Sequence, residues 1–390
     1  MINIIFLGLV SFFTDISSQM VYPIIPLYLV TVLGATPTLV GVIEGIAESL
    51  ASLLKVFSGY ITDRFQKKKA LAFVGYASGI IYKLALLFAG TWVGILGARV
   101  VDRIGKGIRT APRDVLVSES VDKHNLGKGF GLHKAMDMFG SAIGIFIAFL
   151  LLRNMSDNVD FKKIFIIAII PAILGLCMFF FIKEKQASQE VKTEEPFWKN
   201  IKNVDRQLWL YLLVVFLFTL GNSSKVFILL RAQSVGFDTV NVILLFFIMN
   251  MTGSVLSMPL GKLSDKIGRK KLLVPGYLAF SLCYFGFAFA ETEWMMVAVF
   301  IIYGAYTAMI TGVERAYVVD ITPPELKGTM LGLQSTISGI ALLPASIIAG
   351  VLWDAYGAAI PFIFGAVLSL SAAIILIIFM KNVNPQVRSE

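Results

Sequence analysis

Apolar runs about twenty residues long, separated by short charged or turn-forming segments, follow one another along the whole chain. Crossing ~30 Å of hydrocarbon takes ~20 predominantly apolar helical residues. The runs near 3–30, 38–60, 70–90, 93–117, 127–152, 163–183, 208–231, 239–260, 272–290, 294–319, 327–352 and 358–380 meet that length. Barrel strands would be about half as long and would alternate in polarity, which these runs do not. The pattern predicts an all-α membrane protein with twelve transmembrane helices.

Composition agrees. Of 390 residues, 57% are hydrophobic and 15% charged, and the mean hydropathy is +0.80. A soluble domain could not hide so much apolar surface, so the main partner is the lipid bilayer. The first ten residues, Met1 to Val10, carry no positive segment and no small-residue cleavage site, so the first span is expected to be retained rather than removed as a signal. Cys177 and Cys283 fall inside spans and read as packing residues, without metal-ligand spacing.

The net charge of +9 could suggest nucleic acid, but its distribution points elsewhere. Twenty of the 34 Lys and Arg fall in 63–69, 119–128, 183–206, 262–271, 320–328 and the tail after 380. The alternate loops hold Arg153, Lys162, Lys163 and Arg231. That asymmetry places both termini in the cytoplasm, with no nucleic-acid partner.

The chain repeats. Gly59-Tyr60-Ile61-Thr62-Asp63-Arg64 recurs 202 residues later as Gly261-Lys262-Leu263-Ser264-Asp265-Lys266, each copy ending in a basic cluster. Arg113 is matched at the same offset by Arg315, and Gly131-Leu132-His133 is echoed by Gly332-Leu333-Gln334. A charged linker with Pro196 separates the copies. The expected organisation is a six-helix bundle over 1–183, a cytoplasmic linker over 184–206 and a second six-helix bundle over 207–390. An even number of spans per half gives parallel repeats about an axis along the membrane normal, an arrangement found in secondary transporters.

These residues resemble the major facilitator superfamily over essentially the whole length. The family's loop signature after spans 2 and 8, Gly-x-x-x-Asp-Arg/Lys-x-Gly-Arg-Lys/Arg-Lys/Arg, is nearly complete at Gly261 to Lys271; the copy at Gly59 to Lys69 has Gln66 where a Gly is usual. The span 4 signature begins at Arg99 with Gly105 and Gly107 at the expected spacing, and Arg103 stands where that pattern has a Gly. The span 5 signature of drug/proton antiporters is half present: Gly140 and Gly144 are there, but Ile145 replaces the Pro. The resemblance implies a carrier working by alternating access, of a drug/proton-antiporter-like branch with an incomplete motif. It also implies gating roles for Gly59, Asp63, Arg64, Gly261, Asp265 and Lys266, with Arg113 and Arg315 capping helix ends or joining the same gate.

Seventeen Asp, Glu, Lys and Arg lie within the spans. Facing lipid at ~2.5–3.5 kcal/mol each, they would cost about 50 kcal/mol, against the ~5–15 kcal/mol that holds a domain together. They must face protein or water. At ~100° per residue, Arg99, Asp102, Arg103, Lys106, Arg109 and Arg113 share about 120° of span 4. His133, Lys134 and Asp137 share about 100° of span 5, and Asp15 aligns with Ser18, Gln19 and Tyr22. Asp102 and Asp114 have arginines within one or two turns and are expected to pair with them. Lys83 stands alone on span 3 and is expected to snorkel.

Carboxylates without a sequence-local base suit proton coupling, because desolvation favours the neutral form and a nearby cation the charged one. Asp15, Glu44 and Glu48 are those candidates, and Arg99 is a structural or coupling candidate. Within the spans, ten bases outnumber seven acids. Tyr22, Arg103, Lys106, Arg109, Lys134, Asp137, Asn222 and Lys225 are therefore the candidates to line a cavity for an anionic or zwitterionic solute; Asn250 is a further candidate from span 8. Alternatively Asp102, Asp137 and Glu314 neutralise the bases and leave an aromatic pocket.

The reading is a proton-coupled exporter of a small organic solute (anionic, zwitterionic or drug-like) in a prokaryotic inner membrane, acting as a monomer. An importer or facilitator of an organic anion and a lipid or lysolipid carrier share these features, and a receptor or scaffold is the remote alternative. No cofactor is implied: the chain has no phosphate-binding Gly-x-x-x-x-Gly-Lys-Ser/Thr loop, and no nucleophile–base constellation marks an enzyme.

Overall fold

The computed structural model describes residues 2–65, 68–120, 126–155, 160–184, 206–323 and 326–380. Side chains at 2, 55–57, 59–65, 126–130, 328 and 329 lie outside the described residues. Among the described residues the chain is all helical, in fifteen α-helices and one 3-10 turn at Phe179–Phe181.

The helices are α1 (Ile2–Val21), α2 (Ile24–Thr31), α3 (Pro37–Phe65), α4 (Lys68–Phe88), α5 (Trp92–Glu119), α6 (Leu126–Arg153), α7 (Phe161–Met178), α8 (Arg206–Gly221), α9 (Val226–Ser234), α10 (Thr239–Ile267), α11 (Arg269–Phe289), α12 (Glu293–Ile310), α13 (Val313–Ile321), α14 (Lys327–Tyr356) and α15 (Ile360–Phe379). Eleven segments are long and apolar enough to cross a membrane. α5 is the twelfth by length, its charged stripe lowering its hydropathy below the others.

Three spans expected to be continuous are broken. The first parts at Tyr22–Pro23, the seventh at Asn222–Lys225 and the tenth at Thr311–Gly312. Proline explains the first: it has no N–H for the helix ladder. At the third, Gly312 adopts φ +84°, a region that L side chains avoid.

Two compact units emerge, Met1–Ala35 with Ile46–Glu194, and Thr36–Gly45 with Glu195–Glu390. In the first, α4 packs on α5 and α7, while α1 packs on α6 and α7. In the second, α11 packs on α12 and α15, while α8 packs on α14 and α15. Position for position this is the same packing, so the repeat read in the loops is also a repeat in the cores. Helix starts repeat too. Thr91 accepts a hydrogen bond from the Gly94 N–H, and Thr292 accepts one from Met295; both cap first-turn donors otherwise unsatisfied.

Within the second unit, residues 36–45 pack on α14: a Cβ at Gly45 would meet the Leu343 carbonyl oxygen at 3.0 Å, and the Thr38 N–H donates to Asp354. Many large apolar side chains face outward, Phe88 (87% exposed) and Trp294 (84%) among them. These suit a lipid environment rather than water. Cys283 is buried and Cys177 lies on the exterior of its helix.

Gly268 links α10 to α11 with φ +97°. This is the Gly of the second loop signature; its counterpart Gln66 lies outside the described residues. Gly268→Ala places a Cβ in the left-handed region and is expected to cost about 1–2 kcal/mol, read as a lower melting temperature of the purified protein.

Candidate functional site

The first unit gathers its charges around α5, whose 28 residues carry the polar stripe along one face. Close approach of α4 fixes that face: a Cβ at Gly75 would meet the Gly105 carbonyl oxygen at 2.7 Å and the Arg109 Cβ at 2.5 Å. Only a glycine lets the two helices come this near. With α4 in place, Arg99 (1% exposed), Arg103 (4%) and Arg109 (9%) point into the unit.

Each guanidinium finds an aromatic face or a carboxylate. Arg103 pairs with Glu48 of α3 at 2.8 Å and lies 3.7 Å from Asp102. Arg99 and Arg103 sit 5.4 and 5.9 Å from the centre of the Tyr22 ring, and Arg109 sits 4.5 Å from that of Tyr76. Such contacts strengthen as water is removed. Glu48, without a base nearby in sequence, thus has one across the helix interface, and Asp102 and Asp114 meet arginines as their spacing suggests, Asp114 pairing with Arg113 at 2.7 Å.

Asp15 lies on α1 in the field of Asp137, Arg109, Lys106 and Lys134, with the Ser141 hydroxyl donating at 3.5 Å. His133, buried on α6, bonds the Ser11 hydroxyl at 2.9 Å and lies 3.7 Å from Asp137; Ser11 also meets the Tyr76 hydroxyl at 3.2 Å. These bonds tie α1, α4 and α6 together beside Asp15. Lys106 and Lys134 are exposed.

One expectation fails here. Lys83 does not snorkel: it is fully buried, and its Nζ has no hydrogen-bond partner among the described residues. It faces α5, within the electrostatic reach of Asp102, Arg109 and Asp15. Helical periodicity assigned it no face because no other charge shares α4's stripe.

The second unit contributes differently. Asn222, at the break after α8, donates to the Tyr306 hydroxyl at 3.2 Å, and Lys225 opens α9. Asn250 bonds the Phe246 carbonyl of its own helix. Glu44 is buried at 1% exposure in the segment of α3 that packs with this unit. Glu314, suggested as a counter-charge for the bases of span 4, receives instead a hydrogen bond from the Tyr277 hydroxyl at 2.6 Å, within the second unit.

Of the loop signatures, Gly59, Asp63 and Arg64 fall in α3 with their side chains outside the described residues. In the second copy, Asp265 lies 3.5 Å from Arg269, which pairs with Asp320 of α13 at 2.7 Å and donates to the Ala316 carbonyl. This exposed carboxylate in the last turn of α10 is thereby linked through one arginine to α13. The Gly261 carbonyl accepts the Ser264 hydroxyl at 2.7 Å, Lys266 and Arg315 are exposed, and Gln334, the repeat partner of His133, is buried as His133 is. The Arg269 role was not read from the sequence, although its place in the signature was visible.

A duplicated bundle of membrane-spanning helices, with buried charges inside one unit and broken helices in both, defines a multi-pass membrane transporter. The family description "Major Facilitator Superfamily" matches residues 7–256 and 226–390. An uncharacterised MFS-type transporter of Methanocaldococcus jannaschii is 35% identical over 381 residues, covering 96% of this chain and 94% of the relative. The multidrug resistance protein MdtG of Salmonella typhimurium is 23% identical over 382 residues, covering 94% and 90%. Among solved structures, a mutant form of the nucleoside transporter NupG superposes with a TM-score of 0.84 at 12% identity, covering 97% of this chain and 100% of that one; at that identity the likeness is one of fold. The chain belongs to the major facilitator superfamily, whose members are transporters rather than enzymes.

Proposed function

We propose that the protein is a proton-coupled secondary carrier that exports a small organic anion, zwitterion or drug-like solute from a prokaryotic cell by alternating access. The observation carrying this reading is the charged cluster of the first unit, in which Lys83, Arg99, Arg103 and Arg109 are buried. Lys83, Arg99, Arg103, Lys106, Arg109 and Lys134 stand there against Asp15, Glu48, Asp102 and Asp137. A basic surplus behind low-dielectric walls raises the local concentration of anions. Arg99 and Arg103 beside the Tyr22 ring supply a flat cationic surface matched to a carboxylate, or to an aromatic solute bearing one.

Asp15 is the coupling group of this reading in the first unit, and Glu44 is a second candidate. Glu48 is the weaker one because Arg103 already neutralises it. Export is supported by the similarity to MdtG, and a cytoplasmic location of both termini by the placement of the basic loops. The six-helix bundles, 1–183 and 207–390, act as the two moving parts, with 184–206 joining them in a single-chain, monomeric carrier.

The test begins with a thermal-shift screen of the purified protein against metabolite and drug libraries. Stabilising compounds then go into proteoliposomes loaded with a pH-sensitive dye. Solute-driven pH change is expected in the wild type and is expected to vanish in Asp15→Asn. Unchanged proton flux in both Asp15→Asn and Glu44→Gln would sink the coupling assignment.

A further inference from the structure

Glu314 occupies an unusual place for a carboxylate. It lies in the first turn of α13, two residues after the φ +84° Gly312 at which the tenth span breaks. The Tyr277 hydroxyl of α11 donates to its Oε1 at 2.6 Å, and the Tyr211 hydroxyl of α8 approaches its main-chain oxygen at 3.5 Å. Both tyrosines are fully buried. Tyr306 of α12 lies within electrostatic reach of Glu314, and Tyr317 of α13 packs on Tyr211 at 5.4 Å.

Of the charged groups on the surrounding elements, Arg315 acts on Glu314 through its field, and the others are engaged or lie elsewhere. Arg269 of α11 serves Asp320, Asp265 and the Ala316 carbonyl. Lys270 donates to the carbonyls of Ile377 and Met380. Arg315 is the neighbouring residue on α13 and is exposed, and Arg206 and Lys327 stand at the first residues of α8 and α14. No cation forms an ion pair with Glu314 among the described residues. This contrasts with Glu48, Asp102 and Asp114 of the first unit, each of which meets an arginine.

Glu314 is half-buried, accepts one hydrogen bond from Tyr277 and feels Arg315 without pairing with it, so its charge is left for a small cation to discharge directly. The surrounding rings limit which. Phe218 stacks on Tyr277 at 4.0 Å and 7°, van der Waals contact that admits nothing between the rings. An organic ammonium needs an open aromatic face, and a sodium ion wants several oxygens at once; a proton needs neither. The carboxylate accepts the Tyr277 hydrogen bond and stands in the first turn of α13, near its N-terminal end. Protonation would turn the carboxyl from acceptor to donor beside a flexible glycine joint, giving α13 two arrangements to choose between.

We infer that Glu314 is a proton-binding carboxyl of the second unit, whose protonation sets the position of α13 relative to α12 through the Thr311–Gly312 break. The inference rests on the proton-coupled reading above and adds to it a titrating site distinct from Asp15.

Infrared difference spectroscopy of the purified full chain, stepped from alkaline to acidic pH, tests it without any transported solute. A carbonyl band of a protonated carboxylic acid is expected to grow on acidification. Glu314→Gln is expected to remove part of it, and Tyr277→Phe to displace the midpoint of that same part. Tyr277→Phe alone decides the matter should Glu314→Gln fail to fold. A titrating band removed entirely by Asp15→Asn and untouched by Glu314→Gln and Tyr277→Phe would overturn this inference and leave the coupling reading standing. A wild type with no titrating carboxyl band would overturn both. A Glu314 signal that follows sodium concentration at fixed pH would overturn it in favour of a metal cation.

Discussion

Replacing Arg103 by Ala is expected to lower the melting temperature of the purified protein by about 10 °C and to abolish transport. Arg103 is 4% exposed and bridges α3 to α5 through Glu48 at 2.8 Å, with Asp102 at 3.7 Å and the Tyr22 ring at 5.9 Å. Truncating it strands Glu48 without its cation; breaking a buried pair from one side costs about 3–5 kcal/mol, and with Glu48 28% exposed the lower end of that range applies. That is a large fraction of the ~5–15 kcal/mol by which a domain is stable. The double variant Arg103→Met with Glu48→Leu removes both charges at once and is expected to recover most of the lost melting temperature. Its transport stays absent, because the cationic surface beside Tyr22 is gone. Scanning fluorimetry separates these outcomes; a single variant that melts within about 2 °C of the wild type would show that the pair contributes little.

The pair also marks where sequence reading stops. Helical periodicity places Arg99, Arg103 and Arg109 on one face of α5, and the structure buries all three. It works one helix at a time, however, so it cannot say which carboxylate a base will meet across an interface. Glu48 therefore reads as a carboxylate lacking a base, and Lys83 as a snorkelling side chain, until α3 and α4 pack against α5. The helix breaks were hidden for a related reason. The stretches 208–231 and 294–319 are apolar enough overall to read as single spans, and the short polar interruptions Asn222–Lys225 and Thr311–Gly312 do not by themselves say that the helix breaks there. Glu314 was visible as a charge within an apolar run, but its surroundings come from α8, α11, α12 and α13, four segments spread over a hundred residues. The repeat was legible because the charged loop and the paired arginines each leave a local mark in both halves, and the capping threonines Thr91 and Thr292 extend it in the structure.

Gly144→Val is the second change expected to disable the protein, and it does so without touching a charge. Gly140 and Gly144 were recognisable as half of an antiporter signature, which suggests a role in ion coupling. Their surroundings assign them a simpler task. A Cβ at Gly140 would lie 3.0 Å from the Phe12 Cα, and one at Gly144 would lie 2.9 Å from the Ile16 Cα, each also crowding a carbonyl oxygen of α1. The obstacle is backbone, which cannot rotate aside as a side chain would. A valine at 144 must push α6 off α1, and overpacking of this kind costs about 1–3 kcal/mol or more. The same interface holds Asp15 near Ser141 and His133 near Ser11, so displacement of α1 also moves the proposed coupling group. Gly97→Ala on α5 is the matched control, since a Cβ there meets nothing within 4 Å, and Ala in a helix interior is favoured over Gly by about 1 kcal/mol. Lower melting temperature and lost transport in Gly144→Val, with both retained in Gly97→Ala, would establish that these glycines act by letting two helices touch. Normal stability in Gly144→Val with transport uncoupled from protons would return them to an antiport role.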